Sequence, residues 1–306
     1  MNICILTHGH GKFIKGTTYS TRKLYEAAQA RGHDVRVINA SLCYIKVDSE
    51  NPYVMYEGEI LDKFDAVIPR IMPGMTNYGS AIVRQFEMMG VYTTARSIAI
   101  SRSRDKFRSY QLLARQAVGI PQTIFSRETA DVDGLIDQLG TPMIIKIAKG
   151  AQGRGVVLAE TKKAAKSVIQ AFYVSDVSIL LQEYISEAAG SDIRAFVVGS
   201  KVVASMKRQS LDDDFRSNIH QGGTGTPIAL TDQERKVALK AASAMGLSIC
   251  GVDMLRSDRG PLVMEVNSSP SLKGIETVTN RDIADKIIEY IELNAKRRNR
   301  RDRVGA

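Results

Sequence analysis

The chain has 306 residues, of which 44% are hydrophobic and 25% are charged, and its formal net charge is +9. This length can form two or three lobes with sizeable cores, and the composition is ordinary for a globular protein. No apolar run is long enough to span a bilayer and the N-terminus lacks the layout of a signal peptide, so we expect a cytoplasmic protein without a membrane partner. The cysteines Cys4, Cys43 and Cys250 lie far apart in apolar runs, which favours reduced thiols over a disulfide or zinc site.

Residues 1–100 have the pattern of a small doubly wound α/β domain. Strands are predicted at 2–7, 35–38 and 65–71, with helices at 18–30 and 79–89. The glycines of the first loop are not spaced as G-x-G-x-x-G, which argues against a dinucleotide site. Arg70 ends the third strand, where it is either a ligand-facing residue or part of a surface ion pair.

Residues 101–190 form a second predicted lobe. A helix over 105–118 should stop at Gly119, and strands follow at 123–125, 142–148 and 179–184. Lys146 interrupts the apolar run PMIIKIA, and because an unpaired buried lysine is costly it must meet an anion or reach solvent. The glycine-rich stretch KGAQGRGV follows; it predicts either a phosphate-binding loop or a mobile hairpin turn.

Residues 191–295 form a third predicted lobe. Strands 194–198 and 201–207 should pair as a hairpin, and Thr231 with Glu234 predicts a capping box at the start of a helix over 233–245. The polar, glycine-rich segment FRSNIHQGGTG (215–225) is a loop that can carry site residues. A last helix is expected over 281–296.

A second hairpin in this lobe carries three oxygen-bearing side chains. Asp253 interrupts the apolar run 249–255, and the strand 262–266 leads through Glu265 to Asn267. Because side chains alternate along a strand, Glu265 and Asn267 share one face. Carboxylate and amide oxygens suit Mg²⁺. The alternative is a half-exposed hairpin with solvent-facing polar positions.

The C-terminal segment 296–306 is a basic tail. Its six basic side chains against Asp302 give +5 of the total charge of +9. Such a tail either docks on a polyanion such as RNA or the ribosome, or is a solvated helix end.

The order of these features resembles that of the ATP-grasp ligases. The features are a lysine within a strand, a glycine-rich loop, a QEY strand, an R-x-N loop and an acidic hairpin. The segments VIPRI, QGRGVVLAET, QEYI, SDIR, FRSN, GVDMLR and RGPLVMEVNSSP resemble the RimK family, which ligates glutamate to the C-terminus of a small-subunit ribosomal protein. The resemblance covers nearly the whole chain to about residue 295. It implies an ATP-grasp fold of mixed α/β and α+β class behind an N-terminal doubly wound, pre-ATP-grasp domain.

The resemblance also implies roles for individual residues. Lys106 and Lys146 would neutralise ATP phosphates beneath a lid that contains Gly153 and Gly155. Glu183 and Tyr184 would hold adenine through backbone groups. The remaining positions are Asp192 at the nucleotide edge, Arg216, Ser217 and Asn218 at phosphates or the reacting carboxylate, and Asp253, Glu265 and Asn267 on Mg²⁺ or Mn²⁺, with two ions expected.

Carboxylate activation by ATP would give an acyl phosphate and ADP, and the amine of L-glutamate would then displace phosphate. Arg194 or Arg216 is a candidate for holding a substrate carboxylate, with a structural salt bridge as the alternative for Arg194. The expected acceptor is a ribosomal protein, and a homo-oligomer is expected. The other acceptor that stays open is a small molecule, a pterin or a deazaflavin. A non-catalytic RNA-binding protein would leave Lys146 and the acidic hairpin unexplained.

Overall fold

The computed structural model describes residues 1–8, 17–148, 155–210 and 224–295. The N-terminal part is built on a parallel four-stranded sheet with helices packed against it. Its strands lie in the order β2-β1-β6-β7, so the chain runs to one side of β1 and then to the other. The elements are β1 (Asn2–Thr7), α1 (Tyr19–Ala30), β2 (Asp34–Asn39), β6 (Ala66–Pro69), α2 (Thr76–Met88) and β7 (Tyr92–Thr93).

A small antiparallel sheet and two helices complete this region and lead into the next one. The sheet contains β3 (Cys43–Lys46), β4 (Tyr53–Tyr56) and β5 (Glu59–Ile60). The predicted helix 105–118 is observed as α4 (Lys106–Arg115), which ends three residues earlier than predicted, and a separate helix that the sequence did not predict, α3 (Ser97–Arg104), precedes it. They separate at Asp105, whose extended backbone breaks the helix and whose side chain caps α4 by accepting from Arg108 N.

The central region is an antiparallel sheet of order β10-β9-β11-β8 covered by two helices. Its apolar core, which includes Ile136, Ile145, Ile169 and Leu181, is a cluster of its own. The elements are β8 (Thr123–Ser126), α5 (Val132–Leu139), β9 (Met143–Ile147), β10 (Val156–Ala159), α6 (Lys162–Val174) and β11 (Ile179–Glu183).

The C-terminal region is a five-stranded antiparallel sheet of order β14-β13-β12-β15-β16. The predicted capping box at Thr231 and Glu234 is confirmed, and Gly246 ends that helix in the left-handed conformation. The elements are β12 (Ser191–Val198), β13 (Lys201–Gln209), β14 (Thr224–Pro227), α7 (Asp232–Met245), β15 (Ile249–Ser257), β16 (Gly260–Asn267), α8 (Leu272–Thr279) and α9 (Ile283–Ala295).

The N-terminal and C-terminal regions share buried apolar clusters, whereas the core of the central region lies apart. Leu6 and Phe86, for example, belong to the same cluster as Val252 and Val266. The mixed fold class expected from the sequence is confirmed. Within the described ranges, no helix is both long enough and apolar enough to cross a membrane.

Candidate active site

The centre of the site is the hairpin formed by β15 and β16. Asp253 and Glu265 are directly opposite each other in the register of the two strands, and Asn267 lies opposite Gly251 on the same ladder. The register shifts next to this pair, because Met254 faces Val263 and leaves Met264 as an extra residue. The Met264 carbonyl accepts a hydrogen bond of 2.8 Å from the Tyr110 hydroxyl. The bulge is therefore anchored from α4, and Asp253, Glu265 and Asn267 are brought together as the sequence predicts.

Asp253 is buried and held by two arginines. Its Oδ1 accepts from Arg194 Nε at 2.7 Å, and its Oδ2 accepts from Arg194 Nη2 at 2.6 Å. The same Oδ2 lies 3.0 Å from Arg208 Nη2. Burial acts to raise the pKa of Asp253, but the charges of Arg194 and Arg208 outweigh it and hold the pKa at about 2. Since each carboxylate oxygen has two lone-pair positions, Oδ1 keeps one position for a cation.

Arg208 also binds Asp192. Arg208 Nε donates to Asp192 Oδ1 at 2.6 Å, and Nη2 donates to Oδ2. Both side chains are buried, so this pairing continues the ion-pair network behind the hairpin. Asp192 also lines a cavity of about 170 Å³ together with Glu187 and Lys207.

Glu265 differs from Asp253 in both exposure and the direction of its pKa shift. Its side chain is accessible to solvent, yet the surrounding protein and the Asp253 carboxylate raise its pKa, against the attraction of Arg194, Lys106 and Arg104. Both observations agree if the carboxylate lies at the floor of an open cleft. An ionised carboxylate there is stabilised by a bound cation.

Two lysines, Lys106 and Lys146, are close enough to Glu265 for its charge to act on their pKa values. Lys146 Nζ donates to Gln182 Oε1 at 2.6 Å, and burial together with the charge of Lys106 lowers the pKa of Lys146 to about 8. Burial also lowers the pKa of Lys106, with Glu265 acting in the other direction. Two desolvated ammonium groups that repel each other favour an anion with several negative oxygens. The sequence expectation that Lys146 meets an anion or solvent is consistent with this placement.

Gln182 and Tyr110 connect the lysines to the hairpin, and the sequence did not single them out. Gln182 is buried in β11 and donates to Thr123 Oγ1 at 2.9 Å while it accepts from Lys146. A hydrogen bond with Gln182 and the Glu265 charge both act on the pKa of Tyr110, which burial raises to about 12. The one available signal was the polar Gln182 inside the apolar run ILLQEY.

Two arginines, Arg104 and Arg70, are also close to the site, and the charge of Glu265 acts on Arg104. Arg104, the last residue of α3, donates through Nη2 to the Ile71 carbonyl at 2.7 Å. Arg70 follows β6 and lies close enough to Arg104 for that charge, together with burial, to lower the pKa of Arg70 to about 10. The sequence left two interpretations open for Arg70, a ligand-facing residue and a member of a surface ion pair. Among the described residues, Arg70 forms no such ion pair.

The residues expected at the nucleotide lie along β11 and its neighbours. The Glu183 N–H donates to the Gln122 carbonyl at 3.1 Å, and Glu183 Oε1 accepts from Gln122 N at 2.7 Å. Tyr184 follows directly after β11. Gly155 has a φ of +70° and packs so closely on Ile147 that a Cβ would lie 2.6 Å from Ile147 Cδ1.

Several expected positions lie outside the described residues. They are Gly153 with the rest of the stretch 149–154, Arg216, Ser217 and Asn218 in the loop 211–223, and the basic tail 296–306. A cavity of about 460 Å³ between β13 and the segment 227–230 contains Arg235 and Arg281 but none of the site residues described above.

Comparisons with known proteins match nearly the whole chain to one family. The model of the RimK PreATP-grasp domain matches residues 1–100, and that of the RimK-like ATP-grasp domain matches residues 103–291. A probable alpha-L-glutamate ligase of Hydrogenovibrio crunogenus is 57% identical over 286 residues, which are 93% of this chain and 95% of the relative. One of Picosynechococcus sp. is 57% identical over 287 residues, 94% and 95% of the two chains.

Solved structures share the fold at low identity. The ATP-grasp ligase PsnB, complexed with minimal precursor, Mg and ADP, superposes with a TM-score of 0.73 at 18% identity, covering 96% of this chain and 98% of that one. D-alanine–D-alanine ligase from Bacillus anthracis, complexed with ATP, has a TM-score of 0.69 at 18% identity, covering 97% and 98%. The fold is therefore the ATP-grasp fold with an N-terminal pre-ATP-grasp domain, and the chain is an ADP-forming ligase.

Within that class, the chain belongs to the RimK family.

Proposed function

We propose that the enzyme uses ATP to join L-glutamate to the C-terminal carboxylate of a small-subunit ribosomal protein, with release of ADP and phosphate. The observation that carries this proposal is the cluster of charges at the hairpin: Asp253 and Glu265 are register partners, and the charge of Glu265 acts on Lys106, Lys146 and Arg104. The choice of glutamate is supported by the relatives named as probable alpha-L-glutamate ligases.

ATP would bind with its phosphates at the two lysines. Gln182 aligns Lys146 by accepting a hydrogen bond of 2.6 Å from its Nζ, so the ammonium group is oriented before the nucleotide arrives. Because the Glu183 N–H already donates to Gln122, Tyr184 is the better candidate for a backbone donor to adenine. Gly153 and Gly155 in the lid and Asp192 at the nucleotide edge complete the proposed nucleotide site.

The donor set fits a hard divalent cation. Asp253 Oδ1 has one lone-pair position left, Glu265 is an exposed carboxylate with a raised pKa, and Asn267 adds an amide oxygen on the same strand face. These residues would hold Mg²⁺ or Mn²⁺, and room for two ions is part of the proposal. A bound cation would offset charge on the transferring phosphoryl group.

The reaction would proceed in two displacements. An oxygen of the acceptor carboxylate attacks the γ-phosphorus, the bond from that phosphorus to the β–γ bridging oxygen breaks, and ADP leaves. The α-amine of glutamate then attacks the acyl carbon, loses a proton, and phosphate leaves as the C–O bond breaks. Arg216, Ser217 and Asn218 are proposed to contact the phosphates or the reacting carboxylate. Water must be excluded while the acyl phosphate exists.

Arg194 has a positioning role in this proposal. Its guanidinium is occupied by both oxygens of Asp253, which is the salt bridge that the sequence left open as an alternative. Arg194 is therefore not available to bind a substrate carboxylate, and Arg216 remains the candidate for that role, together with Arg70 and Arg104. A homo-oligomeric state and a cytoplasmic location remain part of the proposal.

The test is intact-mass analysis of the small ribosomal subunit incubated with enzyme, MgATP and glutamate. Each ligation creates a new terminal carboxylate, so a ladder of glutamate-sized increments on one small-subunit protein is expected. A pterin and a deazaflavin are included in parallel reactions. Increments on one of these alone would replace the protein acceptor with a small-molecule acceptor, and no increment on any of them would reject glutamate ligation.

A further inference from the structure

Arg70 lies at the point where the N-terminal sheet reverses its strand order. It follows β6 directly, and β6 lies beside β1 while β2 lies on the other side of β1. In parallel α/β sheets the crevice at the carboxyl ends of such a strand pair is where ligands bind. The Arg70 N–H donates to the Leu6 carbonyl at 2.7 Å, which fixes the backbone of Arg70 at this edge.

Two further contacts join the edge of this sheet to α3 and to the segment that follows the β15–β16 hairpin. Arg104 Nη2 donates to the Ile71 carbonyl at 2.7 Å, and Ser269 Oγ donates to the Pro69 carbonyl at 3.4 Å. Ser269 lies two residues after Asn267. The residues on either side of Arg70 are therefore tied to α3 and to the segment that leaves β16.

In the part of the chain that the structure describes, neither Arg70 nor Arg104 forms a direct ion pair with a carboxylate. Among the described residues, no carboxylate pairs with Arg70, and the buried Arg104 Nε has no hydrogen-bond partner. By contrast, Arg36 in the same region forms a two-point pair with Glu59 at 2.7 and 2.8 Å. Burial and the neighbouring Arg104 charge lower the pKa of Arg70 to about 10. A desolvated and unpaired guanidinium is stabilised when an anion binds to it.

Two pairs of cations lie near the hairpin. Glu265 acts on the pKa values of Arg104, Lys106 and Lys146, whereas the pKa of Arg70 is lowered by burial and by the charge of Arg104. Arg70 is therefore grouped with Arg104, which also donates to the carbonyl of the next residue, Ile71, and Lys146 is grouped with Lys106. Phosphates placed at the two lysines leave the two arginines for a different anion.

We propose that Arg70 and Arg104 form a subsite that binds one of the two carboxylates of the glutamate molecule that supplies the amine. This inference rests on the proposed function, in which a glutamate molecule brings its amine to the acyl phosphate near Glu265. A planar guanidinium donates two parallel hydrogen bonds to a carboxylate, and a neighbouring second guanidinium adds charge. The subsite would place the amine towards the hairpin, and a subsite that holds the side-chain carboxylate would also select an acidic amino acid over neutral ones.

The test compares the wild type with Arg70→Gln and Arg70→Lys, using Arg36→Gln as the control for loss of an arginine in the same sheet. Initial rates of ADP release are measured against glutamate, ATP and acceptor. Arg70→Gln should raise the KM for glutamate about 10- to 100-fold, the loss expected for one charged hydrogen-bond pair. The KM for ATP should stay within about twofold, and Arg70→Lys should be intermediate because it keeps charge without the two-point geometry.

Substrate analogues identify the carboxylate that is bound. Glutamine lacks the side-chain carboxylate and isoglutamine lacks the α-carboxylate, and Arg70→Gln should lose the preference for glutamate over one of them. A KM that rises for the acceptor but not for glutamate would overturn the inference while leaving glutamate ligation intact. Wild-type enzyme that releases no ADP with glutamate would instead reject the proposed function, and the subsite with it. Melting curves of all three variants separate these outcomes from misfolding.

Discussion

Arg194 and Asp253 form a two-point ion pair across adjacent strands, with Nε–Oδ1 and Nη2–Oδ2 distances of 2.7 and 2.6 Å. They are direct register partners on β12 and β15, and Asp253 is in turn the register partner of Glu265 on β16. One row across three strands therefore runs from a cation through a buried carboxylate to an accessible one. Arg194 fixes the orientation of Asp253, and so leaves Glu265 as the more available ligand.

Removal of this ion pair should destabilise the fold. Arg194→Met leaves Asp253 with Arg208 as its remaining partner, so the free energy of unfolding at pH 7 should fall by about 2–4 kcal/mol. Urea unfolding measures this loss. The exposed pair Arg127–Asp176 is the control, and Arg127→Met should cost less than about 1 kcal/mol. Equal small losses of unfolding free energy in both variants would contradict the conclusion that the Arg194–Asp253 ion pair stabilises the fold.

The same pair predicts a pH dependence of stability. The pKa of Asp253 is about 2 in the folded chain, below the value of about 3.9 for an unfolded aspartate. The stabilisation is therefore complete above about pH 4 and is lost as the pH falls towards 2. Comparison of Asp253→Asn with the wild type by urea unfolding should show a difference that shrinks across this range. A difference that stays constant would show that the carboxylate charge is not the cause.

Glu265→Gln should stop ligation without unfolding the protein. The change removes one charged oxygen ligand and almost no volume, so turnover at saturating Mg²⁺ should fall at least about 100-fold. In metal-free buffer at pH 7 the variant should be as stable as the wild type or slightly more so, because the raised pKa of Glu265 means that its ionised form is unfavourable there. Glu59→Gln, on the exposed pair with Arg36, serves as the control. Near wild-type turnover in Glu265→Gln would remove Glu265 from the metal site.

Lys146→Met should weaken ATP binding by about 1.5–3 kcal/mol, as expected when a charged hydrogen bond is lost. The pKa of Lys146 is about 8 in the structure, so wild-type ATP affinity should fall as the pH rises through 8, while the variant stays flat over the same range. Calorimetric titrations at several pH values measure both effects. Lys162→Met, which removes an exposed partner of Asp137, is the control. Unchanged binding in Lys146→Met would make the lysine structural.

Deletion of residues 296–306 tests the basic tail. If the tail steers the enzyme to a polyanion, modification of intact ribosomal particles should slow and its salt dependence should weaken, whereas an isolated peptide acceptor should react as before. The measurement is the initial rate on both acceptors at low and moderate salt. Equal loss on both acceptors would point to a folding role for the end of α9.

Local sequence patterns were sufficient for several features of this protein. The capping box at Thr231, the strand that carries Lys146 and the shared face of Glu265 and Asn267 all follow from the positions of residues along a single element. Such features depend on backbone geometry within a few residues, where period and end signals are strong. The small sheet β3–β5 and helix α8 were missed, since strands of two to four residues and a helix with Gly274 near its start carry weak local signals.

The partners of the charged residues were decided only by the tertiary structure. Nothing local to Arg194 distinguishes a substrate ligand from a partner of Asp253, because that choice depends on the register between β12 and β15. Likewise, Arg70 and Arg104 belong to different elements, and their proximity follows from how α3 packs against the edge of the N-terminal sheet. Burial and charge pairing are long-range properties: the sequence determined which ionisable groups exist, and the packing of distant segments decided which of them are neutralised and which face the cleft.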